Sequence, residues 1–344
     1  MNRSAIGIAL LAAALFGAST PLAKLLLGTV NPWMLAGLLY LGAGVGLGLV
    51  HLLRHSMGLG GAEARLRRAD LGWLALVILF GGIMGPLFLL FGLRQSGAAG
   101  ASLLLNLESV ATLGIAWLVF RENVDRRLLL GAVAIVLGAM VLSWQPGVFA
   151  WGSGAGLIAA ACLCWGIDNN LTRKLSSADP LQIAMLKGLV AGTVNLGIAV
   201  AVGQQLPGTA VVLGAGVVGF LGYGLSLALF VAALRHLGAA RTGAYFALAP
   251  FVGALLAVGL LGDPVNWQLG LAAGLMGCGL WLHLSERHAH AHDHAVIDHD
   301  HRHSHDAHHQ HGHDAEEPHS HPHHHGPLRH AHPHYPDLHH RHGH

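Results

Sequence analysis

Three ionisable side chains lie inside long apolar stretches of the sequence, where charge is rarely found. Glu108 is near the middle of one stretch, Asp168 is towards the end of a second and Lys187 is about two turns into a third. A charged group inside a membrane span is disfavoured by about 2.5–3.5 kcal/mol on insertion scales, so it is a functional candidate by default. The amides Asn106 and Asn169 add neutral donors and acceptors nearby in the sequence. These five residues are the sequence-based candidates for a solute site.

Glu108 allows three interpretations. A carboxylate away from water can exchange a proton, and can therefore couple proton movement to solute exchange or contact the solute itself. It could instead be a structural group, neutralised by Lys187 or held by Ser and Asn side chains. It could also face a water-filled vestibule. The first interpretation predicts that replacing the carboxylate by an amide removes pH dependence.

Lys187 and Asp168 also have structural alternatives. An isolated ammonium group is disfavoured in lipid, so Lys187 is expected to pair with Asp168 or Glu108 rather than to bind a solute carboxylate. Asp168 is close enough to the end of its apolar stretch to be a surface carboxylate beside Arg173 and Lys174.

The composition predicts that these residues are carried by membrane helices. The chain is 53% hydrophobic and only 10% charged, whereas an ordinary soluble protein carries about 25% charged residues. Ten apolar stretches approach the length needed to cross a bilayer, and they must be helices because lipid offers no partner for free backbone groups. The stretches are 4–27, 32–53, 71–93, 97–119, 127–144, 153–172, 181–203, 209–234, 240–261 and 267–285.

The basic residues predict the orientation. With a cytoplasmic N-terminus, 13 Lys and Arg residues fall on the cytoplasmic side and two on the other side. This asymmetry predicts a multi-pass protein of the cytoplasmic (inner) membrane with both termini in the cytoplasm. The basic residues therefore orient the chain in its lipid bilayer, and no nucleic-acid partner is expected.

The sequence contains an internal repeat. The segment from Leu11 resembles that from Ala160 at an offset of 149, which matches Lys24 with Arg173, and the segment from Leu93 resembles that from Leu234 at an offset of 141. We predict two five-helix domains, 4–144 and 153–285. Because five is odd, the second must enter the membrane in the opposite orientation, as in the inverted repeats of transporters.

The repeated motifs resemble a known family. FGASTPLAK and CWGIDNNLTRK, with LRQSGAAGASLL and LRHLGAARTGAY, are similar to the EamA type of the drug/metabolite transporter superfamily. The resemblance implies a secondary transporter, not an enzyme, that moves a small organic solute, metabolite or drug-like compound by alternating access. The family usually has Pro in the middle of the fourth span, where this chain reads Asn106-Leu107-Glu108-Ser109. The fourth helix is therefore expected to be straighter than its counterpart, which keeps Pro250.

Prolines and glycines inside the stretches have two interpretations. Pro21, Pro86 and Pro250 interrupt backbone hydrogen bonding and are hinge candidates. Small residues also allow close helix packing, and the Gly42/Gly46 and Gly44/Gly48 spacings favour packing.

Residues 288–344 form a histidine-rich tail. It holds 24 of the 28 His and few large apolar residues, so it is expected to be disordered and cytoplasmic. Closely spaced imidazoles suit Zn, Ni, Co or Cu ions. The candidate metal ligands are His299, His301, His303, His305, His308, His309, His311, His313, His323, His324 and His325.

The tail leaves alternatives to solute transport open. The chain could be a divalent-metal (Ni, Co or Zn) exporter that collects ions with the tail, or a metal-sensing membrane protein that transports nothing. Transport itself requires no cofactor. A homodimer is one assembly that the sequence leaves open.

Overall fold

The computed structural model of the protein consists of membrane-length helices followed by four short strands. It describes residues 3–57, 66, 68–121, 124, 126–144, 152–172, 175, 179–237, 242, 245–284, 289–294, 297–303, 319–325 and 328–333.

Helices lie on all ten predicted stretches. In the first half they are α1 (Arg3–Leu26), α2 (Pro32–Ser56), α3 (Leu71–Val77), α4 (Gly85–Arg94), α5 (Ala98–Leu104), α6 (Leu107–Leu118) and α7 (Arg126–Ser143). In the second half they are α8 (Ser153–Thr172), α9 (Pro180–Ala201), α10 (Thr209–Gly219), α11 (Ser226–Leu237), α12 (Ala249–Leu261) and α13 (Trp267–Leu284). Two π-helical segments, Ile78–Met84 and Phe220–Leu225, join α3 to α4 and α10 to α11.

Seven helices among the described residues are long and apolar enough to cross a membrane, so the count of ten spans stays a prediction. The seven are Ser4–Leu26, Pro32–Ser56, Leu71–Arg94, Ala98–Leu118, Arg126–Ser143, Leu181–Ala201 and Thr209–Phe230. The helix α12 has 13 residues and is about 20 Å long, short of the roughly 30 Å of a bilayer core. The polar end of α8, with Asp168 and two Asn, makes that helix less apolar.

Equivalent helices of the two halves pack against each other in opposite directions. The pairs are α2 with α9 and α7 with α13. Gly37 lies against Leu196 and Gly44 against Leu189 in the first pair, and Gly131 lies against Gly279 and Gly138 against Ala272 in the second. The order of the contacts is reversed along the partner helix in both pairs. This antiparallel arrangement is the relation expected between inverted repeats.

The halves also exchange their first helices. The helix α1 packs against α11 and α12 of the second half, and α8 packs against α4 and α6 of the first half. Any site lined by α8 is therefore shared between the two repeats.

The fourth helix is interrupted by a single turn whose φ and ψ stay in the right-handed helical region, so the expectation that it is straighter than its counterpart stays a prediction. A turn at Leu105 and Asn106 separates α5 from α6, at the place where a turn precedes α12 in the second half. The Asn106 amide donates to the Leu103 carbonyl at 2.8 Å, and the Ser109 hydroxyl donates to the Asn106 carbonyl at 2.7 Å. Side chains that bond to the backbone compete with helical bonds and can end a helix without proline.

The hinge candidates occupy different positions. Pro21 lies inside the continuous helix α1. Pro86 is the second residue of α4, directly after a π segment, and Pro250 is the second residue of α12, directly after a turn. Pro86 and Pro250 thus follow interruptions, and a hinge role for any of the three stays a prediction.

The glycines of α2 mediate close packing. A Cβ added at Gly44 would lie 2.8 Å from the carbonyl carbon of Gly188 in α9, and one at Gly42 would overlap the backbone of Gly216 in α10. The structure therefore agrees with the packing interpretation of this spacing.

Gly44→Ala is expected to lower the free energy of unfolding by about 1–3 kcal/mol, because the added methyl group pushes two backbones apart. Gly114→Ala is the matched control, since a Cβ at Gly114 meets nothing within 4 Å. Alanine is the better helix former by about 1 kcal/mol, so the control is expected to be neutral or slightly stabilising. Thermal unfolding of both variants in detergent measures the difference, and equal midpoints would contradict the packing argument.

The tail contains four strands, so its expected disorder is not confirmed over these segments. Strand β1 (Ala289–His294) pairs antiparallel with β4 (Leu328–Pro333), and β2 (Ile297–His303) pairs antiparallel with β3 (His319–His325). Backbone hydrogen bonds between two antiparallel strands do not require large apolar side chains. The low apolar content that predicted disorder does not exclude such pairing.

Candidate solute site

An ion pair joins α8 to α9. The Lys187 ammonium donates to Oδ2 of Asp168, and the Thr172 hydroxyl donates to Oδ1 at 3.2 Å. Asp168 is only 5% exposed, so its interpretation as a surface carboxylate was wrong: the rotation of α8 turns the side chain inwards. The expected pairing of Lys187 is confirmed with Asp168. Arg173 and Lys174 lie outside the described residues.

The π segment of the first half lies directly on this ion pair. A Cβ added at Gly81 would overlap Asp168 and Lys187, so only glycine allows this approach. The Gly81 carbonyl accepts hydrogen bonds from the Tyr40 hydroxyl at 2.8 Å and from the Trp165 indole at 3.2 Å. Irregular helical turns leave carbonyls without an α-helical partner, and π segments often occur at functional sites.

Tyr40 and Trp165 were not among the sequence-based candidates. A usable signal was the Gly81-Gly82 doublet, which marks a place where backbones approach closely. Tyrosine and tryptophan inside a span are amphipathic and seek a hydrogen-bond partner when buried. Asn195 also binds the backbone of this doublet, because its amide donates to the Gly82 carbonyl at 3.2 Å.

Glu108 meets Asn169 across the boundary between the repeats. The Asn169 amide donates to Oε1 of Glu108 at 2.9 Å and lies 3.2 Å from the Thr112 hydroxyl. Glu108 also lies within electrostatic range of Asp168 and Lys187. Its hydrogen-bond partner is nevertheless a neutral amide. The structure thus brings four of the five candidates, Glu108, Asp168, Asn169 and Lys187, into one cluster.

Asn169 lies on the inward-facing side of α8. It follows Ile158, Cys162 and Trp165 on one stripe of α8, and those three side chains are buried. Residues 4, 7 and 11 positions after Ile158 share its face of the helix. Asn169 is exposed although it lies on this inward stripe, and Glu108 is half-buried. The pair is therefore partly exposed rather than enclosed by the helices.

Asn106, the fifth candidate, is placed differently. It is buried, and its amide bonds to the carbonyl of Leu103 within its own turn and lies 3.9 Å from the sulfur of Met276. Its observed contacts fix the break between α5 and α6, which sets the position at which α6 and Glu108 begin.

Charged side chains bind backbone groups at the end of the bundle where α1 ends. We call this end the Lys24 end. The Lys24 ammonium donates to the carbonyls of Leu93 at 2.6 Å and Ser96 at 2.8 Å. Asp263, from the second half, accepts a hydrogen bond from the Ala99 amide of the first half at 2.7 Å. The Lys24 ammonium thus satisfies backbone carbonyls at and just after the end of α4.

The Glu108–Asn169 pair lies away from the Lys24 end. Ser153, at the start of α8, donates to Gln95 at 2.5 Å beside the Lys24 contacts. Asn169 is 16 residues further along α8, or roughly 24 Å at the helical rise of about 1.5 Å per residue. The Lys24 end is therefore held together by these contacts, whereas Asn169 is exposed towards the opposite end of the bundle.

The described side chains of the helices offer no metal centre. Among them, no three His, Cys, Asp or Glu residues come together in a way that could hold a metal ion. The alternative of a metal exporter thus gains no support from the described part of the helices.

Comparison with known proteins decides the family. The EamA-like transporter family matches residues 3–144 and 152–285, once for each half. The chain belongs to this family. As an EamA-like transporter it is a multi-pass membrane protein, and the resemblance of its motifs to the drug/metabolite transporter superfamily is confirmed.

Two further comparisons agree with the match. This EamA-like transporter is 32% identical over 283 residues to an uncharacterized transporter of Methanothermobacter thermautotrophicus, and the match covers 78% of this chain and 82% of that protein. A crystal structure of a protein at 19% identity superposes with a TM-score of 0.60, covering 81% of this chain and 95% of the other. At that identity the likeness concerns the fold alone.

Proposed function

We propose that this EamA-like transporter is a secondary carrier, which moves a small organic solute, a metabolite or drug-like compound across the cytoplasmic membrane by alternating access coupled to protons. The observation that carries the proposal is the pair of Glu108 and Asn169. It joins one helix from each repeat, and its Asn169 side chain is exposed towards the end of α8 that is opposite the Lys24 end.

The two repeats supply elements that can move in matched ways. Each has a π segment in its third span, Ile78–Met84 or Phe220–Leu225, and each has a turn within its fourth span. Interrupted helices near the middle of the membrane are how many carriers form sites and bend around them. Opening the Lys24 end would require Lys24 and Asp263 to release the backbone groups that they bind.

Glu108 is the proposed proton carrier because of its partners. Asp168 is engaged by the Lys187 ammonium and the Thr172 hydroxyl, so its exchange of a proton would disrupt an ion pair. Glu108 is held by a neutral amide that can serve either form of the carboxyl group by reorienting. A solute that takes the place of Asn169 at the Glu108 carboxylate would then bind either instead of a proton or after one.

The proposed orientation has both termini in the cytoplasm of an inner-membrane protein, as the distribution of basic residues predicts. The end of the bundle at which Asn169 is exposed would then face the cytoplasm, and the Lys24 end would face the opposite side. Labelling of single cysteines introduced at Leu25 and Leu118, which are 54% and 75% exposed, tests this directly. Reagent added from outside intact cells should modify position 25 and spare position 118.

The transport proposal is tested with the full chain in sealed vesicles that contain a pH-sensitive dye. A panel of metabolites and drug-like compounds is added under an imposed pH gradient. The expected result is that one class of compound dissipates the gradient only in vesicles that contain the protein. Solute exchange without proton movement would contradict the coupling, and a chain inert to exchange of every compound would contradict the carrier function.

A further inference from the structure

The histidines of the tail follow the period of a β-strand. They occur at every second residue in all four strands, for example at His299, His301 and His303 in β2. Successive residues of a strand lie on opposite faces, so residues two apart share a face. The spacing therefore places the histidines of each strand on one face, except for His324 of β3, which lies between His323 and His325.

The register of the ladders places histidine positions of the paired strands directly opposite each other. In the ladder of β2 and β3 the directly opposed positions are His299 with His323, His301 with His321 and His303 with His319. In the ladder of β1 and β4 they are His290 with His332 and His292 with His330. A slip of one residue would remove these histidine pairs, except that one direction of slip would oppose His299 to His324.

We propose that the opposed histidine positions of the β2/β3 ladder form a binding face for a divalent transition metal such as Zn²⁺, Ni²⁺, Co²⁺ or Cu²⁺. Cβ atoms of directly opposed residues in an antiparallel pair are about 4.5–5.5 Å apart, and zinc bonds to imidazole nitrogen at about 2.0–2.1 Å. Two neighbouring opposed pairs, such as His299/His323 and His301/His321, place four histidine positions on one face, as many as a tetrahedral zinc site takes.

The register also says which histidines are excluded. His324 opposes Asp298 on the other face of the ladder, whereas its neighbours His323 and His325 are on the histidine face. Three adjacent residues that composition alone treats as equivalent ligands are thus divided between two faces. The candidates His305, His308, His309, His311 and His313 lie outside the described residues.

Binding is coupled to formation of the ladder. A two-stranded ladder alone is marginally stable in water, and a metal ion that ligates both strands stabilises only the paired form. The tail therefore orders its strands as the metal concentration rises. This property belongs to the tail alone and does not depend on which solute the helices carry.

The test is a Zn²⁺ titration of the full chain in detergent, with the metal monitored by competition against a chromogenic chelator. The triple variant His299→Ala/His301→Ala/His303→Ala is expected to weaken the tightest site at least about tenfold. The control His308→Ala/His309→Ala/His311→Ala removes as many histidines outside the ladders and is expected to leave that site unchanged. Equal weakening in both variants would overturn the proposal in favour of binding by composition alone.

Hydrogen exchange gives a second, independent readout. Zn²⁺ is expected to slow amide exchange in residues 297–303 and 319–325 of the unmodified chain, and His324→Ala is expected to keep this protection. Unaltered exchange at saturating Zn²⁺ would show that metal and ladder are not linked, and would overturn the proposal even if the metal binds. A chain that ends at Arg287 gives the background of binding to the helices.

Discussion

Glu108→Gln is expected to abolish the pH dependence of transport between pH 5 and pH 8. The amide is nearly the size of the carboxylate and can still accept the hydrogen bond from Asn169, so the contact between α6 and α8 survives. It cannot exchange a proton, however. Where one protonation step limits transport, the rate of the unmodified chain should change by up to about tenfold per pH unit, and the variant should give a flat profile.

The measurement is solute exchange in vesicles whose internal and external pH are varied together. Asp263→Asn is the matched control, since it removes a carboxylate that lies at the Lys24 end and binds a backbone amide. Its pH profile is expected to keep the shape of the unmodified chain. A profile of Glu108→Gln that follows the unmodified chain would remove Glu108 from proton coupling and leave it as a structural acceptor for Asn169.

Asp168→Asn is expected to lower the free energy of unfolding by about 3–5 kcal/mol, because it leaves the Lys187 ammonium largely buried without its counter-ion. The side chains of Lys187 and Asp168 are 20% and 7% exposed, so the solvent compensates little. Lys187→Met is expected to act in the same direction, since it strands the Asp168 carboxylate against the backbone of Gly81.

The double variant Asp168→Leu/Lys187→Met distinguishes an ion pair from two separate packing defects. Replacing a buried pair by apolar groups of similar volume is often close to neutral, so the double variant should be more stable than either single variant. Thermal unfolding in detergent measures all three proteins. Additive losses in the double variant would show that the two residues stabilise the fold independently.

The sequence predicted the helices and their duplication because both depend on local patterns. Apolar stretches, short polar links and fixed offsets can be read along the chain, and the family match covers both halves. The helix rotations cannot be read in this way. Asp168 is about one turn from the end of α8 in either interpretation, and only the relative placement of α8 and α9 decides that it faces Lys187 rather than solvent.

The interrupted fourth helix shows a second limit. Lack of proline predicted a straighter helix but gave no sign of the turn where the side chains of Asn106 and Ser109 bond to the backbone, between α5 and α6. These residues were visible in the sequence, yet asparagine and serine inside a span can also bond to other helices or to a solute. Likewise, the partners Tyr40 and Trp165 depend on a π segment, for which the Gly81-Gly82 doublet indicates a close approach of backbones but not the residues that bind there.

The antiparallel packing of α2 with α9 and of α7 with α13 makes the contact between the halves resemble that of a symmetric dimer. In such an interface the same surface is used by both partners, each facing the other after a half-turn. A polypeptide severed in the connection between Trp144 and Gly152 would therefore yield two fragments that keep mutually complementary surfaces. Their reunion in a bilayer would depend on opposite insertion of the fragments and not on the peptide that links them.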